Sequence, residues 1–338
     1  MRMIKDIAIV KYKGFKNLKL ENLNQVNIIS GENNIGKTAL LEALFLYSDI
    51  LFIYKIVDCF VIINPFIFIA KTRDIKSNRI KNYLKDINVV INTNILNIDI
   101  KYKSQYKSQY KFNIKEKEEI KNFNQDYNDF IVGYTNDNLK VVPITEYITS
   151  ESLVYNYIDS SKPTNKRLVE LYSNIQSKGI QHKFLTYLKL LDNDIQWIEP
   201  QLLDDEVLLR LNLNNPERSL ISSELGEGTN RYIEILCTLL SNSNKTVFID
   251  EIENGIHYTK LYDIWKAILE IVEKENIQLF VTTHNLESIE ALNDASEAMK
   301  FEKISSVKLQ KDDNNVIYPV IRNYSSFVAT VDSGMDIR

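Results

Sequence analysis

Residues Gly31 to Thr38 read GENNIGKT, the spacing G-x-x-x-x-G-K-[ST]. Two glycines let the backbone fold tightly, so that successive N–H groups and the start of a following helix point at one spot where a phosphate can sit. In that arrangement Gly31, Glu32, Asn33, Asn34, Ile35 and Gly36 supply the cradle. Lys37 reaches the β- and γ-phosphates as an exposed loop charge, and the Thr38 hydroxyl binds Mg²⁺. Far downstream, Thr246 to His257 reads TVFIDEIENGIH. A strand ending there would hold Mg²⁺ through Asp250 and polarise an attacking water through Glu251, with Glu253 next in line for that role. A third run, LFVTTHN, ends on His284, a hydrogen-bonding group placed to sense the γ-phosphate. Taken alone, an Asp-Glu pair is usually a solvated strand end and a lone histidine is usually structural. Three such groups, each at the carboxyl end of a predicted strand, favour chemistry.

The elements that must position them are legible as periodicities. Ile7, Ile9 and Lys11, then Phe15, Leu18 and Leu20, alternate around Lys13-Gly14 as two short strands. Val26 to Ile29 is a short apolar run that stops at Ser30-Gly31, and TALLEALFLY (38–47) follows at helical spacing. Strand, glycine loop and helix thus come in the order a phosphate loop needs. Val247–Ile249 and Gln278–Thr282 are short apolar runs between helical patterns at 229–241 and 258–275. Strands alternating with helices predict an α/β fold with a mainly parallel sheet. Asp312-Asp313-Asn314-Asn315 marks a hairpin turn. Five of the nine glycines, Gly31, Gly36, Gly226, Gly228 and Gly255, fall in three short motifs, more than turn chemistry alone requires.

Between these halves the text changes. Residues 71–121 carry 13 Lys/Arg against 6 Asp/Glu in a chain whose net charge is −4. Asn88 to Tyr102 alternates as a strand or hairpin and runs into a tandem repeat, KSQYKSQY, at 103–110. Helical periodicity returns over 166–191. The chain therefore divides into a first part of the nucleotide-binding lobe at 1–70, an inserted basic and helical subdomain at 71–200, and a second part of the lobe at 201–338.

Length and composition bound the rest. At 338 residues, 44% hydrophobic and 25% charged, the chain is in the globular range and long enough to bury a full core. Two cysteines, Cys59 and Cys237, build neither a disulfide framework nor a zinc site. The start lacks a small-residue cleavage site, so no secretory signal is expected. Leu51 to Ala70 is long enough to span a bilayer, but Lys55 and Asp58 near its middle would each cost roughly 2.5–3.5 kcal/mol there. Asn64-Pro65 also breaks it. A buried helix end and a core strand account for the same residues, and the chain is read as soluble and cytoplasmic with no membrane contact.

Four motifs in order, GENNIGKT, SELGEGTNRYIEI (223–235), FIDEIENGIHY (248–258) and TTHN (282–285), resemble ABC-type ATPases of the SMC, RecF and OLD kind. The likeness is specifically to the stand-alone AAA-type ATPases of bacterial defence loci. The opening IKDIAIVKYKGFKNLKL is similar too, and the resemblance covers about 40% of the chain, the first 50 residues and 220–290. It implies a P-loop fold of ABC type binding ATP and Mg²⁺, and a head-to-tail dimer or larger assembly that sandwiches nucleotide. Each phosphate loop would then face the partner's Glu224 to Arg231, with Glu224, Gly226, Gly228 and Thr229 as the trans signature. Gly226 stands where many relatives carry a serine, so backbone N–H groups and the Thr229 hydroxyl would substitute for it. Asn254 to His257 would link the acidic pair to the dimer interface, and Asn285 replaces a common serine. No glutamine lies between Gln25 and Gln105, where such proteins place one.

OLD relatives carry a TOPRIM nuclease domain after the ATPase. Only 54 residues follow His284, so a nuclease effector is expected on a separate chain. The implied function is an ATP-hydrolysing sensor or scaffold in antiphage defence. The alternatives are a RecF-like repair ATPase that binds DNA directly and the nucleotide-binding subunit of a transporter. Lys101, Lys103, Lys107 and Lys111 interleave with Tyr102, Tyr106 and Tyr110, a pattern able to neutralise phosphates and stack bases. The same pattern also suits a solvated hairpin tip lengthened by repeat slippage.

Overall fold

The computed structural model describes residues 3–45, 48, 88–93, 97–104, 108–116, 119–126, 130–135, 138–143, 156–214, 219–243 and 245–338. Its centre is a sheet whose core strands are apolar on both faces: β3 (Val26–Gly31), β14 (Thr246–Ile249) and β15 (Gln278–Thr282), all buried along their length. Strands this short and this apolar are stable only when both faces are covered. Their order is β10 (Tyr157–Ile158), β14, β15, β3, β16 (Ile304–Lys311), β17 (Ile317–Arg322). The first five run parallel, and β17 returns antiparallel along β16 after the Asp312 turn. Parallel strands put the ends of β3, β14 and β15 at one edge, the edge that carries the three predicted groups.

Alternation along each strand sends its residues to two separate cores. Val26, Ile28, Val247, Ile249, Leu279 and Val281 face a layer of helices. These are α2 (Asn165–Ser177), α3 (Gln181–Leu188), α4 (Glu227–Ser241), α5 (Tyr258–Lys274) and α6 (Leu286–Met299). A last helix, α7 (Tyr324–Asp332), packs on the same side through Phe327. Ile29, Phe248, Phe280 and Val307 face the other way, onto α1 (residues 37–45) and the hairpin of β1 (Ile7–Tyr12) and β2 (Phe15–Leu20). There Phe248 stacks on Phe280 with ring centres 5.6 Å apart, and Phe45 of α1 meets Phe248 edge-on at 5.7 Å. The phosphate-loop helix is thereby pinned to the strands that carry the acidic pair and the histidine.

A second six-stranded sheet, in the order β2, β1, β4 (Asn88–Thr93), β5 (Asn97–Ser104), β6 (Ser108–Glu116), β7 (Glu119–Asp126), is antiparallel throughout. Within Asn88 to Tyr102, β4 and β5 therefore pair antiparallel. The tandem repeat lies across the β5–β6 pair, with Lys103 opposite Gln109 and Ser104 opposite Ser108. Further along, β8 (Phe130–Thr135) pairs with β9 (Asn138–Pro143). A three-stranded sheet of β11 (Ile195–Leu203), β12 (Glu206–Leu213) and β13 (Ser219–Ile221) leads into the signature segment.

The layers draw on residues from both sides of positions 71 and 200. β4 extends the sheet begun by β1, β10 joins β14 in the central sheet, and α2 and α3 share the core of α4. A two-residue strand has no periodicity to read, and an amphipathic helix does not announce which neighbour covers its apolar face. The described part of 88–143 is strand rather than helix. The apolar stretch Leu51–Ala70 lies outside the described residues; among those described, no helix is long and apolar enough to cross a membrane. Cys237 is a buried free thiol, and Cys59 is outside the described residues.

Candidate nucleotide-binding and catalytic site

The phosphate loop leaves β3 through Gly31, whose φ is +139°. A Cβ there would also lie 2.7 Å from the Leu309 carbonyl of the neighbouring β16, so both conformation and space require glycine. Asn34 (φ +61°) and Gly36 (φ +110°) turn the chain into α1, and the Phe15 ring from the β1–β2 hairpin backs Gly36. Lys37 is not the exposed charge the sequence suggests. It is 8% exposed, and its ammonium donates to the carbonyls of Gly31 (2.8 Å) and Glu32 (2.9 Å). Burial lowers its pKa, against the charges of Glu251, Asp250 and Glu253, which raise it. The ammonium is stripped of water and held by loop carbonyls, which places it to donate to phosphate oxygens instead.

Asp250 follows β14 directly and is 2% exposed. The Thr38 hydroxyl donates to its Oδ2 at 2.9 Å, so the two residues assigned to Mg²⁺ meet across the sheet edge. The hydroxyl of Thr282, at the end of β15, donates to Oδ1 at 2.5 Å. Burial pushes the Asp250 carboxyl above its ordinary range, although both hydroxyls favour its charged form. A hydroxyl and one buried carboxylate are oxygen donors of the kind a small hard cation takes together with phosphate and water oxygens. A cation would also relieve the carboxylate's burial.

Glu251 sits in a left-handed backbone conformation, φ +49°, and its N–H donates to the Thr282 hydroxyl at 2.8 Å. Its carboxylate Oε1 is 3.8 Å from His284 Nδ1. Glu253, 7% exposed, lies closer to that histidine: Oε1 accepts the His284 backbone N–H at 3.0 Å and is 3.3 Å from Nδ1. Its other oxygen is buried with no hydrogen-bond partner. His284 thus stands between two carboxylates. Asn285 caps α6 by accepting from the Ser288 N–H, and His257 caps α5 by accepting from the Thr259 N–H.

The signature segment behaves in two parts. Gly226 is the N-cap of α4, and Glu224, Gly226 and Thr229 make no hydrogen bond to the phosphate loop among the described residues. Gly228 packs on the loop after the acidic pair so closely that a Cβ would press into the Gly255 carbonyl oxygen. Arg231 corrects the expectation that the whole segment faces a partner. It is 2% exposed and turned into its own chain, where it donates to the carbonyls of Asp159 and Asp250, both at 2.6 Å. It also meets Glu234 at 3.3 Å. The structure therefore gathers Gly31–Thr38, Asp250, Glu251 and His284 at one sheet edge. Thr282, Glu253 and Arg231 join them there. Of these three, Glu253 is the alternate to Glu251 that the sequence offers and Thr282 stands in TTHN before the histidine, whereas nothing in the sequence marks the inward turn of Arg231.

Residues 26–290 match the family described as "AAA domain, putative AbiEii toxin, Type IV TA system". The chain belongs to this family. With its phosphate loop, flanked parallel sheet and family membership, it is an AAA-family ATPase of the ABC type. A Helicobacter pylori protein named "ATP/GTP phosphatase" is 25% identical over 364 aligned residues, covering 94% of this chain and 95% of that one. Among solved structures, an SMC head bound to the C-terminal winged-helix domain of ScpA superposes with a TM-score of 0.52 at 9% identity, over 96% of this chain and 99% of that one. The SMC head domain from Thermotoga maritima gives 0.46 at 12% identity, over 95% and 100%.

Proposed function

We propose that this chain binds ATP with Mg²⁺ and hydrolyses it as a head-to-tail pair, and that its nucleotide state controls a separate effector protein in antiphage defence. The observation that carries the hydrolytic part is the meeting of Thr38 with Asp250 beside Glu251, at the mouth of the phosphate loop. Lys37 exchanges the Gly31 and Glu32 carbonyls for phosphate oxygens. Thr38 and Asp250 would hold Mg²⁺, which when bound would neutralise charge on the phosphates. Glu251 accepts a proton from a water aimed at the γ-phosphorus. The new P–O bond forms as the bond to the β-phosphate oxygen breaks, giving ADP and phosphate. His284, steered by Glu253, is the polar group on the γ side.

The pairing reading is supported by the exposed start of α4, where Glu224, Gly226 and Thr229 leave the segment open to a second nucleotide. The family description, which prints a "putative AbiEii toxin" of a "Type IV TA system", supports the effector reading. The name of the Helicobacter pylori relative makes GTP a substrate to compare with ATP. Measuring phosphate release and sedimentation mass with Mg-ATP tests the hydrolytic and dimeric parts together. Glu251→Gln should lose turnover by about 100-fold or more while a nucleotide-bound dimer accumulates. Wild-type turnover in that variant would remove Glu251 from the mechanism, and a monomer at saturating nucleotide would remove the pair. The effector reading predicts that a nuclease encoded beside this chain changes its activity with the nucleotide bound. A second reading, direct nucleic-acid binding, is favoured by the lysine-tyrosine alternation of β5 and β6.

A further inference from the structure

We infer that the peptide bond between Asp250 and Glu251 is clamped from both sides, by the Arg231 guanidinium and the Thr282 hydroxyl, and that these two positioning residues set the direction of the Glu251 carboxylate. The inference rests on the reading of Glu251 as the group that orients water. The carbonyl of this peptide accepts from Arg231 Nη2 at 2.6 Å, and its N–H donates to Thr282 Oγ1 at 2.8 Å. A peptide unit is planar, so fixing both of its ends fixes the ψ of Asp250 and the φ of Glu251. That φ is +49°, a region a residue with a Cβ occupies only when its surroundings hold it there.

The clamp is reinforced on each side. Thr282 also donates to Asp250 Oδ1, and its carbonyl accepts the N–H of Ile252. The residue before the clamped peptide, the clamped N–H and the residue after it all meet one threonine. Arg231 extends a longer reach, 3.4 Å, to the Glu251 carbonyl, and its second nitrogen holds the Asp159 carbonyl on the far side of β14. Arg231 lies in the first turns of α4, the helix whose exposed start carries the signature residues. A shift of α4 is therefore transmitted to the Glu251 peptide through a single side chain. An ion pair with Glu234 alone would not need a planar fork reaching three backbone carbonyls.

The test uses the full chain and four variants, Thr282→Val, Thr282→Ser, Arg231→Lys and Glu251→Gln, assayed for ATP turnover, ATP affinity and thermal melting. Valine has the shape of threonine without its hydroxyl, so Thr282→Val is expected to stay folded. It should lose kcat by about 100-fold, the scale of a misplaced catalytic group, with KM changed little. Serine restores the hydroxyl, and Thr282→Ser should recover most of the rate. Arg231→Lys keeps the charge beside Glu234 but not the fork, and should lower kcat in the same pattern. In a Glu251→Gln background, Thr282→Val should add no further loss to the residual rate. The inference is overturned if Thr282→Val turns over at the wild-type rate while Glu251→Gln does not, or if serine is as slow as valine. Wild-type turnover by Glu251→Gln would instead overturn the underlying reading of Glu251.

Discussion

The two six-stranded sheets share a strand count and little else. The central one is built from strands drawn out of sequence order, β10, β14, β15, β3, β16 and β17, with its core strands β3, β14 and β15 short and buried on both faces. In the other, β4 to β7 follow one another along the chain, joined by hairpins and rich in Asn, Lys and Tyr. Every group of the candidate site sits at the edge of the first sheet, in loops held by pairings across more than 200 residues, such as Thr38 with Asp250. Among the described residues, the second sheet reaches that site through its first part in the chain, the β1–β2 hairpin, whose Phe15 backs Gly36. Non-local pairing fixes geometry, whereas a local meander can change length without moving it.

That contrast can be broken by experiment. The largest effect is expected in the core shared by β14 and β15. Phe280→Ala removes a fully buried ring stacked on Phe248 and should destabilise the fold by about 3–5 kcal/mol, measured by denaturant unfolding. A loss below about 1 kcal/mol would mean that this core does not fix the site. Next comes Lys37→Ala, which should weaken Mg-ATP affinity by about 100-fold, or about 2.7 kcal/mol, measured by calorimetry. Because the Lys37 ammonium satisfies two carbonyls, a lower melting temperature should accompany the loss. Unchanged affinity would remove the phosphate-loop assignment.

Gly228→Ala should cost about 1–3 kcal/mol by forcing α4 away from Gly255, seen as a lower melting temperature together with slower turnover. The smallest effect is expected in the meander. Deleting Lys103 to Tyr106 should leave ATP turnover within about twofold of wild type. A larger change would show that the local sheet communicates with the site. Replacing Lys103, Lys107 and Lys111 with Glu sharpens the comparison. If these lysines neutralise phosphates, nucleic-acid affinity falls and its salt slope flattens by roughly 0.7–0.9 for each phosphate no longer neutralised. An unchanged gel shift would assign the hairpin to solvent or to a protein partner.

The site was legible where its chemistry depends on short spacings. GENNIGKT, the Asp-Glu pair after a strand and the histidine after another strand are local patterns, and parallel strands bring their ends together without further instruction. What escaped was set by interactions at long range. Arg231 reads as one more polar residue of an exposed signature, yet its neighbours across β14 make it internal. The left-handed turn at Glu251 is imposed by Thr282 and Arg231 rather than by its own side chain, so no residue type announces it. A lysine in a glycine loop is usually exposed; the carbonyls of its own loop enclose Lys37. The place of β10 in the central sheet has the same origin, since a strand two residues long is set by its neighbour β14.

The tandem repeat carries an evolutionary consequence in its length. A four-residue unit inserted at the end of a hairpin adds two residues to each arm, one full period of the pleat, or about 6.8 Å of strand. Every residue outside the insertion keeps the face it had, and pairs such as Tyr102 with Tyr110 become pairs of the same composition one step further in. Copies of KSQY can therefore be gained or lost four codons at a time while the inside-outside pattern of β5 and β6 survives. A slip of one or three residues would invert an arm or bulge it. The repeat thus lets a lineage vary the length of β5 and β6 in fixed steps while their register is kept.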